Sequence, residues 1–353
     1  MSLLWMEYED EFQNLAEASF SCEKAAKPEY FSRLDKRAHK IVYRDTRYNI
    51  DFLYTAFVLD DEKIMGDYAR WLLRLMHPIL KYTSVTQTAE YVTEHFDSIR
   101  EAIREVVPQE KQARLMELMD CAQECVWDEA EHFENGQKKE SAYEEEISQY
   151  MQSLLEKNSR NAMYLVQEFQ KKGIPLDDIF AEIIAESMRR VGELWHTAQI
   201  TVDTEHYCTS VTQMAMAQLY PSLFMQERRG RTMLCACPGT ELHEMGARMV
   251  ADIFENNGWD TIYLGAAVPA DYLLASIREN KPDLVALSVT MPQHLLDCRD
   301  IVQQIRREFP DIKIAVGGGA FRSTHEIWKQ WPIDIYTEDA RELVERANEE
   351  YAQ

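Results

Sequence analysis

Pro238-Gly239-Thr240-Glu241-Leu242-His243-Glu244-Met245-Gly246 comes directly after the short apolar run Thr232–Cys237 and precedes an amphipathic stretch. A run of that length closed by Pro-Gly reads as a strand, and the amphipathic stretch reads as a helix. Four more short apolar runs recur downstream, at Thr261–Leu264, Leu284–Val289, Ile312–Val316 and Ile333–Tyr336, with helical periodicity between them. Strands alternating with helices predict a Rossmann-like, doubly wound parallel sheet over residues 229–353. Such a sheet binds ligands beyond the carboxyl ends of its strands, so the loops after the runs are where chemistry is expected.

In the first loop, Glu241 stands two residues before His243, where a carboxylate can accept the second N–H of the imidazole and orient the ring. Gly246 removes a side chain where the helix begins, so a bulky group can approach the backbone. The third run leads into Ser288-Val289-Thr290, and the fourth into Gly317-Gly318-Gly319-Ala320, an open surface against which something flat can lie. Singly, each feature also suits an ordinary turn or a surface histidine; the three in this order are far more specific.

Upstream, residues 141–228 carry four helical patterns, near 143–156, 159–172, 177–196 and 202–224, and predict a four-helix bundle. Gly173 is placed as a helix-end glycine and Thr201 as an N-cap. Trp195 ends the third pattern, and Glu205-His206 lies one turn into the fourth, so a short connection brings them together. A flat indole and a polar pair suit a nucleoside, although Trp195 could also serve the bundle core and Glu205 the helix dipole. Residues 1–140 show helical periodicity with few glycines and prolines and predict a helical N-terminal domain of unassigned role. Its end, Glu129–Glu146 with Asn135-Gly136, reads as a linker or a solvated helix. The fold class is thus α/β plus all-α.

The chain has 353 residues and a formal net charge of -23. Such a charge repels nucleic-acid phosphates. The basic clusters Lys138-Lys139, Lys171-Lys172 and Arg228-Arg229-Arg231 are short and read as element ends, so no direct nucleic-acid contact is expected. No apolar stretch suggests a membrane span, and the acidic start does not read as a signal peptide. Seven scattered cysteines read as reduced thiols of a cytoplasmic protein. Cys235 and Cys237 are expected on opposite faces of a strand, and Cys121 and Cys125 on one helical face, a weak metal signal.

The order His-x-x-Gly, Ser-x-Thr and Gly-Gly resembles the cobalamin-binding domain of methionine synthase, the corrinoid mutases and the corrinoid carrier proteins. That family's signature is Asp-x-His-x-x-Gly, then Ser-x-Leu or Ser-x-Thr, then Gly-Gly. Tyr263–Pro269 also resembles the family's second strand and loop, and the likeness covers about residues 141–353. It implies a cobalamin cofactor with His243 as lower cobalt ligand. It also implies a slot for the displaced nucleotide tail at Gly246, Ser288, Thr290 and Gly317, Gly318 and Gly319. Glu241 stands where the signature has aspartate; glutamate there is similar to what light-sensing cobalamin-dependent regulators carry.

Trp195-x(9)-Glu205-His206 resembles the Trp-x(9)-Glu-His signature of adenosylcobalamin photoreceptors. That likeness implies that Trp195, Glu205 and His206 surround an adenosyl group, and that His196 is a second cobalt ligand once that group has left. The resemblance implies a cobalamin-binding sensory regulator rather than an enzyme, with adenosylcobalamin favoured and light as a candidate signal. Its output would pass through a protein partner, and a homo-oligomer is compatible with it. The alternative is a corrinoid methyl carrier that holds methylcobalamin and serves a methyltransferase.

Overall fold

The computed structural model describes residues 10–80, 84–133 and 141–351. Asn135-Gly136 and Lys138-Lys139 lie outside the described residues. The chain forms two compact units, Met1–Asn135 with Arg322–His325, and Gly136–Phe321 with Glu326–Gln353.

In the first unit the helices are α1 (Asp10–Ala26), α2 (Pro28–Ser32), α3 (Lys36–Leu59), α4 (Glu62–Ile79), α5 (Val85–Val106) and α6 (Gln109–Glu131). Their starts are encoded locally. Asp35 accepts from the N–H groups of Arg37 and Ala38 ahead of α3, and Ser84 and Gln87 form a reciprocal capping box at α5. Cys121 and Cys125 face Gly66 of α4, where an added Cβ would lie 2.9 Å from the Cys125 Sγ.

The second unit opens with α7 (Glu144–Leu155) and α8 (Ser159–Lys171). Gly173 adopts φ +88° just past α8, as a helix-end glycine should. The third bundle helix is continuous but composite: α9 (Leu176–Asp178), a π-helical segment Ile179–Ile184, and α10 (Ala185–His196). The fourth stops earlier than its periodicity suggests. α11 covers Val202–Ala217, and Pro221, which lacks an N–H, enters a separate short helix α12 (Tyr220–Leu223). Thr201 takes the extended backbone of an N-cap, but its hydroxyl pairs with the Thr204 hydroxyl at 3.2 Å instead of accepting a first-turn N–H.

The sheet contains β1 (Thr232–Pro238), β2 (Asp260–Val268), β3 (Leu284–Ser288), β4 (Lys313–Gly317) and β5 (Ile335–Tyr336). All are parallel, in the order β2-β1-β3-β4-β5. Between and after them run α13 (Met245–Asn256), α14 (Ala270–Asn280), α15 (Leu295–Glu308), α16 (Gly319–Arg322) and α17 (Ala340–Glu350). β2 extends past Leu264 because the register against β1 slips near Gly265, whose φ is +83°. Cys235 and Cys237 do not face opposite sides. Their Sγ atoms contact the carbonyls of Ala247 and His243 at 3.4 and 3.7 Å, since residues two apart share a strand face.

One hydrophobic core runs from the bundle (Tyr150, Phe169, Phe180) into the sheet layer (Met233, Phe254, Trp259). Asp177 accepts from the side-chain amides of Asn256 and Asn257 at 2.8 and 2.9 Å, which fastens the bundle to the end of α13. In this strand order the topological switch point lies between β1 and β3, and the crevice there is the expected ligand position. Among the described residues no helix is long and apolar enough to cross a membrane.

Candidate functional site

The loop from β1 to α13 lies at that switch point, and Glu241 is its keystone. The side chain is fully buried. Oε1 accepts from the His243 backbone N–H at 2.9 Å and faces His243 Nδ1 at 2.6 Å. Oε2 accepts from the N–H groups of Thr290 and Met291 at 2.8 Å each. The Glu241 carbonyl accepts from Ala267 N–H at 2.9 Å. One residue therefore ties together the loops after β1 and β3 and the end of strand β2. Burial pushes its carboxyl up, but His243 and the backbone donors outweigh it and hold the group at about 2.

The His243 side chain is 57% exposed although its partner is buried. The bond to Glu241 raises its proton affinity, and the Glu205 carboxylate on α11 adds to the effect from the bundle side. With Nδ1 on Glu241, Nε2 is the ring nitrogen left to act as a ligand.

Glu244 comes next in the loop, a residue that the sequence motifs do not single out. Its Oε1 accepts from Gln213 on α11 at 3.2 Å. Its Oε2 accepts from the Tyr263 hydroxyl and the Ala266 N–H, both at 3.1 Å. Two further residues stand out behind the loop after β3. Gln293 and His294 are buried, and both amide atoms of Gln293 and Nδ1 of His294 lack a partner. No sequence signal marks them, because an orphaned polar atom arises only when distant segments close over it.

Ser288 and Gly317 end the paired strands β3 and β4 and sit opposite each other in register. With Gly318 they line a slot of about 80 Å³ that continues to Ala247 on α13 and to Ala340 and Leu343 on α17. Gly318 needs to be glycine: its φ is +100°, and an added Cβ would lie 2.3 Å from the Val289 carbonyl oxygen. Gly319 starts α16. Thr290 contributes its backbone N–H to Glu241. At Gly246, in the first turn of α13, an added Cβ would meet nothing within 4 Å.

On the bundle side, Trp195 is 37% exposed and, with His196, ends α10. Glu205 and His206 lie in the first turns of α11 and pair at 2.7 Å, while Glu205 also accepts from the Thr209 hydroxyl at 2.8 Å. A turn closed by the bonds of Ala198 N–H to the Trp195 carbonyl and Gln199 N–H to the Leu194 carbonyl joins the two helix ends. The arrangement is a flat aromatic surface and a polar pair on one side, and an oriented imidazole on the other.

Fold and loop geometry define a class. Residues 231–345 match the family model described as a B12 binding domain, and residues 146–220 match a second model of that description. The chain carries B12-binding domains, which indicate a cobalamin or related corrinoid as cofactor. The HTH-type transcriptional repressor CarH of Myxococcus xanthus is 31% identical over 159 residues, 44% of this chain and 52% of that protein. Dimethylamine corrinoid protein 1 of Methanosarcina acetivorans is 22% identical over 212 residues, 58% of this chain and 97% of that one. The chain spans about half the length of the curated repressors it matches. The solved monomethylamine corrinoid protein of Methanosarcina barkeri shares the fold, with a TM-score of 0.53 at 21% identity across 59% of this chain and 99% of its own.

Proposed function

We propose that the chain is a cobalamin-binding sensory regulator that takes adenosylcobalamin, with light as the signal and a protein partner as the output. One observation carries the reading. Trp195 and the Glu205-His206 pair stand at two joined helix ends, and Glu205 acts electrostatically on His243 from the bundle side. A site for a nucleoside above an oriented imidazole is what that combination can make.

The residues suit the group. Gly246 leaves open space, Gln293 has an unpartnered buried amide, and Ser288 and Gly318 line a slot at the strand ends. In this reading His243 is the lower cobalt ligand, held in orientation by Glu241. Gly246, Ser288, Thr290, Gly317, Gly318 and Gly319 hold the nucleotide tail. Trp195 packs on the adenosine, Glu205 and His206 meet its polar edge, and His196 is the second cobalt ligand after the nucleoside has gone. Residues 141–228 then form the cap domain and 229–353 the base domain, with 1–140 as a further helical domain. When bound, adenosylcobalamin supplies a light-labile cobalt–carbon bond. The chain's own part is differential binding: contacts made only to the nucleoside bias the bundle between two arrangements. Charge disfavours DNA as a direct target, since a net -23 opposes phosphate binding.

A corrinoid methyl carrier is the second reading, supported by the 97% coverage of a dimethylamine corrinoid protein. Absorption spectra of the protein loaded with adenosylcobalamin, in the dark and after green light, separate the two. The expected dark spectrum is base-off with histidine bound, and His243→Ala removes it. Light is expected to give a two-histidine spectrum that His196→Ala cannot form. Trp195→Ala is expected to weaken adenosylcobalamin relative to hydroxocobalamin by roughly 1–3 kcal/mol. Equal affinity for the two forms, unchanged in Trp195→Ala, sinks the sensor reading and leaves cobalamin binding intact.

A further inference from the structure

A second concave feature lies away from the strand ends, where α13 faces α12 and the edge strand β2. A cleft of about 300 Å³ opens there, walled by Tyr220, Phe224, Arg248, Asp252, Glu255 and Tyr263. The Arg248 guanidinium lies 5.0 Å from the Tyr220 ring centre and 4.8 Å from that of Tyr263. Its Nε is 3.4 Å from Asp252 Oδ1. The other carboxylate oxygen, Oδ2, is buried without any partner, in a residue only 6% exposed.

Neighbouring Glu255 is in the opposite condition. One of its oxygens pairs with Arg228, and the other accepts from the N–H and hydroxyl of Thr261. The orphan acceptor thus belongs to Asp252 alone. Burial pushes that carboxyl up to about 7, with Glu255 adding and Arg248 opposing. A buried acceptor without a donor is costly, and ordinary folding satisfies nearly all of them.

We propose that this cleft binds a small organic cation, an ammonium or guanidinium head group that pairs with the Asp252 carboxylate beside the tyrosine-lined wall. Charge and chemistry select that class. Asp252, Glu255 and Asp260 face only Arg228 and Arg248 around the cleft, so one carboxylate is in excess. An anion would meet the unpartnered carboxylate, and a neutral donor would leave its charge uncompensated. Aromatic walls favour cations, and Arg248 between its two tyrosines is the chain's own instance of that preference. The volume is at the small end of ligand pockets, which limits the ligand to a head group with a short tail. The site is independent of the cobalamin reading.

The test is ligand-observed NMR on the full chain at about pH 8.5 and constant ionic strength, above the value of about 7 to which burial pushes Asp252, so that its carboxylate carries the charge. The probes are n-butylammonium and n-butylguanidinium, with n-butylurea as the neutral counterpart. Saturable one-to-one binding of at least one cation, and none of butylurea, is expected. Asp252→Asn is expected to weaken the cation roughly tenfold or more. Binding of butylurea as tight as the cations overturns the proposal. So does unchanged affinity in Asp252→Asn, or no saturable binding of either cation. If Asp252→Asn does not fold, the comparison of charged and neutral probes on the native protein decides.

Discussion

Two buried carboxylates of the second unit show how environment sets a residue's behaviour. The Glu241 carboxylate accepts from the backbone N–H groups of His243, Thr290 and Met291 besides facing the His243 ring, and stays ionised down to about pH 2. Asp252, with one oxygen left unpartnered, is pushed to about 7 from an ordinary value of 3.8. Between those values folded Asp252 binds more proton than unfolded Asp252, so its contribution to stability falls as pH rises through that window. Asp252→Asn removes that penalty. Urea denaturation is expected to find the variant more stable than the native chain by about 1–3 kcal/mol at pH 8, with the gain shrinking towards pH 4. A gain independent of pH would mean that the buried charge is not its source. Glu241, the residue the sequence pointed to, was legible because its spacing to His243 carries the chemistry. Asp252 was not, because its spacing on α13 is that of any amphipathic helix and its missing partner exists only in three dimensions.

At the scale of elements, the five strands and the loop of Pro238–Gly246 were readable because turn residues bound each apolar run. The π-helical segment was not. A helical pattern over 177–196 cannot display one accommodated residue, yet that residue rotates everything after it by about 100°. It sets the phase of Trp195 and His196 relative to Asp178 and Glu182, which Arg341 of α17 grips at 3.0 and 2.6 Å. The Gly317–Gly318 turn gives the sharpest contrast between neighbours. Gly318→Ala forces a Cβ against the Val289 backbone at positive φ, whereas the nearest atom at Gly317 is the Thr337 carbonyl oxygen at 3.4 Å. Gly318→Ala is expected to cost about 1–3 kcal/mol in urea denaturation, with Gly317→Ala well below it. Equal losses would show that the turn tolerates the movement.

In the molecule as a whole, bundle and sheet of the second unit share one core rather than meeting as two finished surfaces. They are therefore expected to open together. Hydrogen exchange should give core amides of α8 and β3 a common opening free energy, and saturating cobalamin should raise both by the same amount, about 2.7 kcal/mol at a hundred times Kd. Separate values for helix and strand would divide the unit in two. The slot at the strand ends has a consequence of another kind. At about 80 Å³ it is far below the ~300–1,000 Å³ of ordinary ligand pockets, with α13 on one side and α17 on the other. If the slot holds the nucleotide tail, as proposed above, the tail enters only when those walls part. Uptake is then timed by the wall and not by collision: in stopped-flow mixing the observed rate should climb with cobalamin concentration, then level off at the frequency with which α17 lifts.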